Sequence, residues 1–315
     1  MKSFDISKLQ EIPISKEVLQ LILSNAPSDA VLVGGQALVF WLEHFNIDAN
    51  PDKVKYHFIS RDVVFLGRRE HVKALAKAIS GVADYPSKKA LTILCGQVFL
   101  VQKDDPKQFM NIDVIHRIGN MDSNAVRRRS VEGTILGNTF QVMHPLDVLV
   151  SRVENFRGIK DKQNEIGLRQ VTLAIEVAKM YVFEAVQRDE NIALKAIETI
   201  ATTAKSAAGT YARKHGANIY DAIAPEHLAR IIQNENFLSV RLPRLAFEIN
   251  DTAKHPKGIY VGEIVSTENG TIIQDLGRNK LFEHREENLD HLINKGDKVK
   301  IIYNSLGQGK VKKMI

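Results

Sequence analysis

Apolar and polar positions follow two different periods in the first 144 residues of this chain. Short apolar runs typical of buried strands occupy residues 30–33, 60–67, 90–102, 110–116 and 134–143. Apolar residues at steps of three and four predict helices over 15–25, 36–45 and 68–80. The pattern therefore predicts a mixed α/β domain over residues 1–144.

The pattern changes at Pro145 and again near residue 253. Apolar residues at helical spacing predict helices over 146–156, 168–187, 192–205 and 226–233, which form a helical domain over residues 145–252. From residue 253 to 315, short β runs separated by glycines predict a small β-barrel. The predicted fold class is α+β, with a mixed sheet, a helical domain and a C-terminal barrel.

Composition narrows the picture only slightly. The 315 residues carry 43 Lys and Arg against 37 Asp and Glu, a net charge of +6 that permits nucleotide or nucleic-acid partners without requiring them. The single cysteine, Cys95, excludes an intramolecular disulfide and fits a cytoplasmic location. The two longest mainly apolar stretches without charges, 30–42 and 90–102, have 13 residues each and are too short to span a membrane, so no membrane partner is expected.

Two adjacent glycines, Gly34 and Gly35, separate the first apolar run from the following helix. Glycines at this point let a phosphate approach the backbone, where the free N–H groups of a helix N-terminus favour anions. The same pair also suits a tight strand-to-helix connection with no ligand. Both interpretations stay open for this pair alone.

Two carboxylates lie within predicted strands. Asp62 comes just before an apolar run, and Asp113 stands between Ile112 and Val114. Acidic groups from adjacent strands can hold Mg²⁺ together with the phosphates of a nucleotide. Solvation at a strand edge, or a salt bridge to Arg61 or Arg117, is the alternative for each.

Over residues 15–235 these motifs resemble the nucleotidyltransferase superfamily, in the branch that includes AbiEii-type toxins and minimal nucleotidyltransferases. The resemblance is carried by Val31-Leu32-Val33-Gly34-Gly35-Gln36-Ala37-Leu38, Ser60-Arg61-Asp62-Val63-Val64-Phe65-Leu66-Gly67, Asn111-Ile112-Asp113-Val114-Ile115 and His144-Pro145-Leu146-Asp147-Val148-Leu149. It implies that Gly34 and Gly35 contact the triphosphate. It also implies that Asp62 and Asp113 are catalytic and hold Mg²⁺ for nucleotide transfer to a hydroxyl.

The sequence departs from that family at position 64. The family's first strand carries Asp-x-Asp, but Val64 occupies the second carboxylate position and cannot bind a metal. Loss of that carboxylate should remove much of the charge compensation that the transfer needs. Three interpretations stay open: a degenerate nucleotide-binding relative, an enzyme with one metal or a substitute carboxylate such as Glu70, or a variant whose active parent has Asp at position 64.

Basic residues downstream are further candidates for phosphate binding. Arg152, Asn155, Ile159 and Lys162 are spaced by three, four and three, so they share one face if the helix continues past Gly158. Related nucleotidyltransferases present such residues to the nucleotide, which makes Arg152 and Lys162 candidate nucleotide-binding residues. A solvated helix face is the alternative, and the same choice applies to the basic run 127–129.

The C-terminal β runs, over residues 255–315, resemble the KfrB domain, a small SH3-like module of plasmid and conjugation-related proteins. The matching positions are Gln274, Gly277-Arg278, His284, Gly296, Tyr303 and Gly307-x-Gly309. Basic residues exceed acidic ones slightly in this stretch, which permits DNA binding but also a protein partner. Gln274, Arg278, His284 and Tyr303 are therefore expected to form a binding patch for DNA or protein, with an ordinary hydrogen-bonded strand histidine as the alternative for His284.

Two functions follow as expectations. The first is Mg²⁺-dependent transfer of a nucleotide from a nucleoside triphosphate (NTP) to a protein or RNA hydroxyl, impaired if Val64 disables the site. The second is a non-catalytic accessory or regulatory protein of a plasmid or other mobile element that binds nucleotide or nucleic acid. Val64 favours the second, whereas the otherwise intact frame favours the first.

Overall fold

A computed structural model describes most of the chain. The described residues are 8–48, 62–87, 89–102, 104–135, 137–224, 248–251, 258–268, 270–277, 280–304 and 307–314. They divide into two compact units, one comprising Met1–Ala178 with Ser206–Asn218 and the other Lys179–Lys205 with Ile219–Ile315. The predicted boundaries after residues 144 and 252 stay a prediction.

The first unit is a mixed α/β structure that contains the predicted strand, double glycine and helix. Its strands are β1 (Gln10–Glu11), β2 (Val31–Val33), β3 (Val63–Leu66), β4 (Val82–Asp84), β5 (Leu94–Val101), β6 (Gln108–Ile115), β7 (Val131–Ile135) and β8 (Asn138–Val142). Its helices are α1 (Lys16–Ser24), α2 (Gly34–His44), α3 (Arg69–Ala78), α4 (Ser123–Arg129), α5 (Pro145–Gly158), the first part of α6 (Glu165–Arg188), and α8 (Ala207–Lys214).

These strands form one mixed sheet in the order β4-β5-β6-β3-β2-β8-β7, with β1 added at the start of β6. The central strands β3 and β6 run parallel, whereas β2 and β5 are antiparallel to their neighbours β3 and β6. Apolar residues of the central strands, such as Leu32, Phe65 and Ile112, are fully buried. The centre of the sheet therefore carries Gly34 just after β2, Asp62 just before β3 and Asp113 within β6.

Local sequence signals account for the helix starts. Ser15 caps α1 by accepting a hydrogen bond from the Val18 N–H at 3.3 Å, and the His144 side chain accepts from the Leu146 N–H at the start of α5. Pro145 suits the first turn of α5 because its missing N–H would have no partner there. The Trp41 indole donates to the Met143 carbonyl at 2.8 Å, which ties α2 to the segment before α5.

The second unit contains the last part of α6, α7 (Glu190–Lys205) and a second sheet. The strands of this sheet are β9 (Glu248–Asp251), β10 (Gly258–Glu268), β11 (Thr271–Asp275), β12 (Lys280–Arg285), β13 (Lys298–Tyr303) and β14 (Gly309–Lys313). Their order is β14-β13-β10-β11-β12-β9, antiparallel except for the β12–β9 pair. Among the described residues, strand pairing does not close this sheet into the predicted barrel.

The fold class α+β is confirmed, and one local prediction needs correction. The predicted strand over 134–143 is a hairpin of β7 and β8, because Gly137 adopts a φ of +81° and reverses the chain. Helix α8, capped by Ser206, was not predicted. The predicted helix over 226–233 lies outside the described residues. Among the described helices, none is both long and apolar enough to cross a membrane.

Candidate functional site

A row of polar side chains crosses three neighbouring strands of the first sheet. Asp113 of β6 lies directly opposite Gln97 of β5 on one side and Val64 of β3 on the other. Alternate residues of a strand point to the same face. Asn111 therefore shares the face of Asp113 on β6. Asp62, directly before β3, likewise shares the face of Val64. The sheet thus brings the two predicted carboxylates to one face.

Asp113 is held by two amide side chains that the sequence analysis did not identify. Gln97 Nε2 donates to Asp113 Oδ1 at 2.8 Å, and Asn111 Nδ2 donates to the same oxygen at 3.0 Å. Burial raises the pKa of Asp113 above its ordinary value; these two hydrogen bonds oppose that shift, and the Asp62 charge adds to it. The Asp62 charge therefore acts on the Asp113 carboxyl, as the smallest of these influences on its pKa.

Gly34 begins α2 beside this row. Its φ of +74° is a left-handed conformation that side chains rarely adopt, and a Cβ built on it would lie 3.4 Å from Cβ and Cγ2 of Val64. Gly35 is buried in the first turn of the helix. The first-turn N–H groups of α2 consequently begin next to Val64, whose register partner is Asp113.

Arg152 of α5 is the cation of the site. Burial lowers the pKa of its guanidinium to about 10, and attraction to Asp62 acts in the opposite direction. Nη1 donates to Gln170 Oε1 at 3.2 Å, whereas Nε is buried without a hydrogen-bond partner among the described residues. A buried guanidinium N–H without an acceptor is costly, which makes this atom the most unusual polar group of the site.

The prediction that Arg152 and Lys162 share one helical face required the helix to continue past Gly158. The helix does not continue, so the two residues do not share a face. Helix α5 ends at Gly158, and Ile159 has an extended conformation with its N–H bonded to the Asn155 carbonyl. Lys162 then lies in a short 3-10 turn and is exposed. The chain turns back tightly here and brings Gly167 against the Lys162 carbonyl oxygen, which a Cβ on Gly167 would overlap.

Two residues of the basic run 127–129, Arg127 and Arg129, have structural roles. Arg127 Nη1 donates to the carbonyls of Asp29 at 2.9 Å and Leu66 at 3.3 Å, so it joins the turn before β2 to the end of β3. Arg129 forms a two-point ion pair with buried Asp147, with its shorter contact at 2.7 Å. These bonds occupy the groups that a phosphate would need.

Glu70 does not replace the missing carboxylate. It lies in the first turn of α3, is largely exposed, and pairs with Arg68 Nε at 3.0 Å. Within the part of the chain that the structure describes, no group of three or more His, Cys, Asp or Glu side chains is placed to hold a metal ion. Asp62 and Asp113 are the acidic pair that the site offers.

A second polar cluster lies inside the C-terminal sheet. Gln274 Nε2 donates to the carbonyls of Gly262 and Val299, at 3.2 and 2.9 Å. Its Oε1 therefore faces His284 Nε2, 3.0 Å away, which carries the proton and donates. His284 Nδ1 accepts from the Tyr303 hydroxyl at 2.9 Å. The chain of bonds is complete with a neutral imidazole.

This cluster corrects the predicted surface patch. Gln274 and His284 have an exposed fraction of 0 %, and Tyr303 belongs to the apolar core formed with Ile264, Ile272, Ile293, Val299 and Ile301. Burial lowers the pKa of His284 to about 3. These side chains face inwards because strand alternation places them there, so they cannot contact DNA or protein as a surface; Arg278 lies outside the described residues.

Comparison with known families bears on this part of the chain. The strands β10 to β14, with the Gln274–His284–Tyr303 chain at their centre, fall in one matched segment. Residues 259–313 match the KfrB Domain family. The KfrB-like interpretation of the C-terminal segment is thus supported. A search among curated proteins gave no match to the chain.

Within the KfrB segment, two glycines are required by close packing. A Cβ on Gly262 would overlap the Asp275 carbonyl oxygen, and one on Gly309 would lie 2.6 Å from Leu289 Cδ2. Gly262 also presents the carbonyl that Gln274 binds. Gly262 therefore serves both the close approach of the strands and the internal chain of polar side chains in the KfrB sheet.

Proposed function

We propose that the first unit binds a nucleoside triphosphate with one divalent cation at the site formed by Gly34, Asp62, Asp113 and Arg152. The proposal rests on one observation: Val64 of β3 pairs with Asp113 of β6 beside the left-handed start of α2, and Asp62 is two residues before Val64, so both carboxylates belong to one face of the sheet. A helix N-terminus favours phosphates, and a cation would relieve the repulsion between the two carboxylates. The proposed reaction is transfer of the nucleotide to a protein or RNA hydroxyl.

The donor set fits one Mg²⁺ and not a pair. Mg²⁺ is commonly bound by one or two carboxylates together with substrate phosphates and water, which Asp62 and Asp113 can provide. A second ion would need the carboxylate that Val64 replaces. Bound here, Mg²⁺ would supply charge neutralisation for the triphosphate.

The residues of the chain have separate proposed roles. The first-turn N–H groups at Gly34 and Gly35 bind phosphate oxygens, and the unpartnered Nε of Arg152 donates to the same anion. Gln97 and Asn111 position Asp113 through their bonds to Oδ1. Lys162, exposed after α5, is retained as a proposed phosphate contact outside this cluster.

A non-catalytic function is the second candidate, and Val64 favours it. Val64 lies opposite Asp113 in the register, and its isopropyl group would be 3.4 Å from a Cβ on Gly34, so an apolar group occupies the position where a metal ligand would be needed. Such a protein would bind nucleotide or nucleic acid without turnover, as an accessory or regulatory component of a plasmid or other mobile element. The C-terminal segment would then complete a small SH3-like module that contacts the partner.

Binding and transfer measured on the same variants separate the two candidates. Calorimetry with each NTP, with and without Mg²⁺, is followed by incubation with labelled NTP and cell extract. Asp62→Asn and Asp113→Asn should each weaken Mg²⁺-dependent binding by roughly tenfold or more, since each removes one of two ligand charges. Glu132→Gln, an exposed carboxylate on edge strand β7, is the matched control and should bind like the unaltered protein.

Val64→Asp decides between an active and a degenerate site. Metal-dependent label transfer by the unaltered protein supports the enzyme, whereas transfer by Val64→Asp alone supports a frame that has lost its activity. Binding without transfer by either protein supports the non-catalytic candidate. Absence of NTP binding in both proteins would overturn the nucleotide proposal.

A further inference from the structure

The outer face of the KfrB sheet, opposite the buried polar chain, is apolar at its centre. Ile259 and Val261 of β10 point away from the core with exposed fractions of 60 and 42 %. Ile302 of β13 lies directly opposite Ile259 and is half-buried. The three aliphatic side chains form a continuous strip across two strands, which a folded sheet normally covers or replaces with polar residues.

Lysines surround this strip. Lys298 and Lys300 of β13 and Lys310 and Lys312 of β14 alternate onto the same outer face. We call these four lysines, together with Ile259, Val261 and Ile302, the lysine face. Two acids adjoin it: Glu263 of β10 alternates onto the same face and lies opposite Lys298, and Asp290 accepts a hydrogen bond from the Val311 N–H at the β14 edge.

The register brings two of these cations together. Lys300 lies directly opposite Lys312, and Val261 lies opposite Lys300 on the other side. Like charges directly opposite each other in a sheet are destabilising. Among the described residues, no carboxylate lies within ion-pair distance of Lys300 or Lys312. The sheet thus places two lysines without an ion-pair partner among the described residues next to exposed aliphatic surface.

We propose that the lysine face binds an acidic, amphipathic segment of a partner protein. Aliphatic side chains of the segment cover Ile259, Val261 and Ile302, and its flanking carboxylates pair with the lysines, Lys300 and Lys312 above all. This is an interaction surface distinct from the buried cluster, and it does not depend on the nucleotide proposal.

The composition of the face favours polypeptide over nucleic acid. Bases bind proteins through stacking on aromatic or Arg side chains, and the outer positions of β10, β13 and β14 that the structure describes contain neither. An aliphatic strip gains nothing from a phosphate backbone, whereas it gains burial against an apolar helix or strand. Membrane-surface binding commonly uses protruding Trp, Phe or Leu side chains, and the described outer positions of these three strands carry none of them.

The test uses the full-length protein and a labelled designed peptide. The peptide carries Leu on one helical face flanked by Glu, and fluorescence anisotropy measures its binding. A shuffled peptide of the same composition tests amphipathicity, and a Glu-to-Gln version tests charge. Double-stranded DNA, single-stranded DNA and vesicles of phosphatidylserine with phosphatidylcholine are the competing probes. We expect the amphipathic acidic peptide to bind and both altered peptides to bind at least about tenfold more weakly.

Paired variants locate the binding. Lys300→Glu with Lys312→Glu should weaken the peptide affinity by roughly tenfold or more, whereas Lys295→Glu, in the turn before β13, should leave it unchanged. Ile259→Ser tests the strip, with the exposed Leu292→Ser as its control. Methyl NMR should show shifts at Ile259 and Ile302 but not at the buried Ile272.

The outcomes are mutually exclusive. Peptide binding that depends on Lys300, Lys312 and Ile259 supports the proposal. Lysine-dependent binding of DNA or vesicles without peptide binding overturns it in favour of that class of partner. Absence of binding by every probe, or peptide-induced shifts away from Ile259 and Ile302, also overturns it.

Discussion

Each of the two sheets carries a row of polar side chains on one face, but the two rows differ in charge and in hydrogen bonding. In the C-terminal sheet, Gln274, His284 and Tyr303 are neutral, buried and linked by a complete chain of bonds. In the first sheet, two carboxylates repel each other near a guanidinium with an unpartnered Nε. A satisfied neutral network stabilises a fold, whereas incompletely compensated charges indicate a place for a ligand.

The largest effect is expected when the neutral network is broken. His284→Ala removes the donor to Gln274 Oε1 and the acceptor of the Tyr303 hydroxyl, and it leaves a cavity in the sheet. We expect a loss of about 3 kcal/mol in the free energy of unfolding of this sheet. Hydrogen exchange of the β10 and β13 amides measures it. His291→Ala, at an exposed histidine, should change protection by less than about 0.5 kcal/mol, and equal effects of both variants would contradict the comparison.

The buried His284 should make the C-terminal sheet less stable in acid. The folded-state pKa of His284, about 3, lies below the value of roughly 6.5 for an unfolded chain. The contribution of this group to the free energy of unfolding is therefore fully present above pH 6.5 and is lost as pH falls towards 3. The slope contributed by this group is about 1.4 kcal/mol per pH unit within that window. Hydrogen exchange against pH should show this slope and His284→Gln should lose it. A His284 ring resonance that titrates between pH 8 and 5 would refute the prediction.

A smaller effect on the free energy of unfolding, towards equal or greater stability, is expected when Arg152 is replaced. Burial disfavours its charge, and its lowered pKa shows that the folded state bears this cost at neutral pH. Arg152→Met keeps most of the volume and removes the charge, so we expect stability to stay within about 1 kcal/mol or to increase, with NTP affinity reduced. Denaturation followed by Trp41 fluorescence measures stability. A loss as large as that of His284→Ala would mean that Arg152 is structural.

The smallest effect is expected for Asp113→Asn. The raised pKa of Asp113 means that its proton-linked stability is present at acid pH and is lost as pH rises through the folded-state pKa. Asn retains an oxygen for the Gln97 and Asn111 amides but no charge, so its Tm at pH 7 should be higher by on the order of a few °C. The difference should shrink as pH falls, because protonation removes the Asp113 charge. A lower Tm at pH 7 would show that the charge stabilises the fold.

Sequence pattern predicted the main strands and helices of the first unit and the short β runs of the C-terminal segment, because burial of regular apolar runs determines them, but it missed the β7–β8 hairpin and helix α8. It also placed Asp62 and Asp113 in strand segments, which the folded sheet then shows to be neighbours. It did not identify Gln97, because the residue opposite Asp113 is determined by strand register, which only the folded sheet defines. The inward direction of Gln274 and His284 was missed for a related reason. A polar residue on a strand is expected to face solvent unless its hydrogen-bond partners are known, and the partners of Gln274 lie on β10 and β13.

The pairing of β2 has a consequence for the order of folding. Val31 pairs with Leu66 on one side and with Gln141 on the other, so the strand before Gly34 gains its second neighbour only when a distant part of the chain arrives. Contacts between residues far apart in sequence form slowly because loop closure costs entropy. During synthesis, β2 and β3 emerge long before β8 and Arg152. The proposed nucleotide site should therefore be among the last parts of the first unit to form, and a ribosome-bound chain that ends before β8 should lack it.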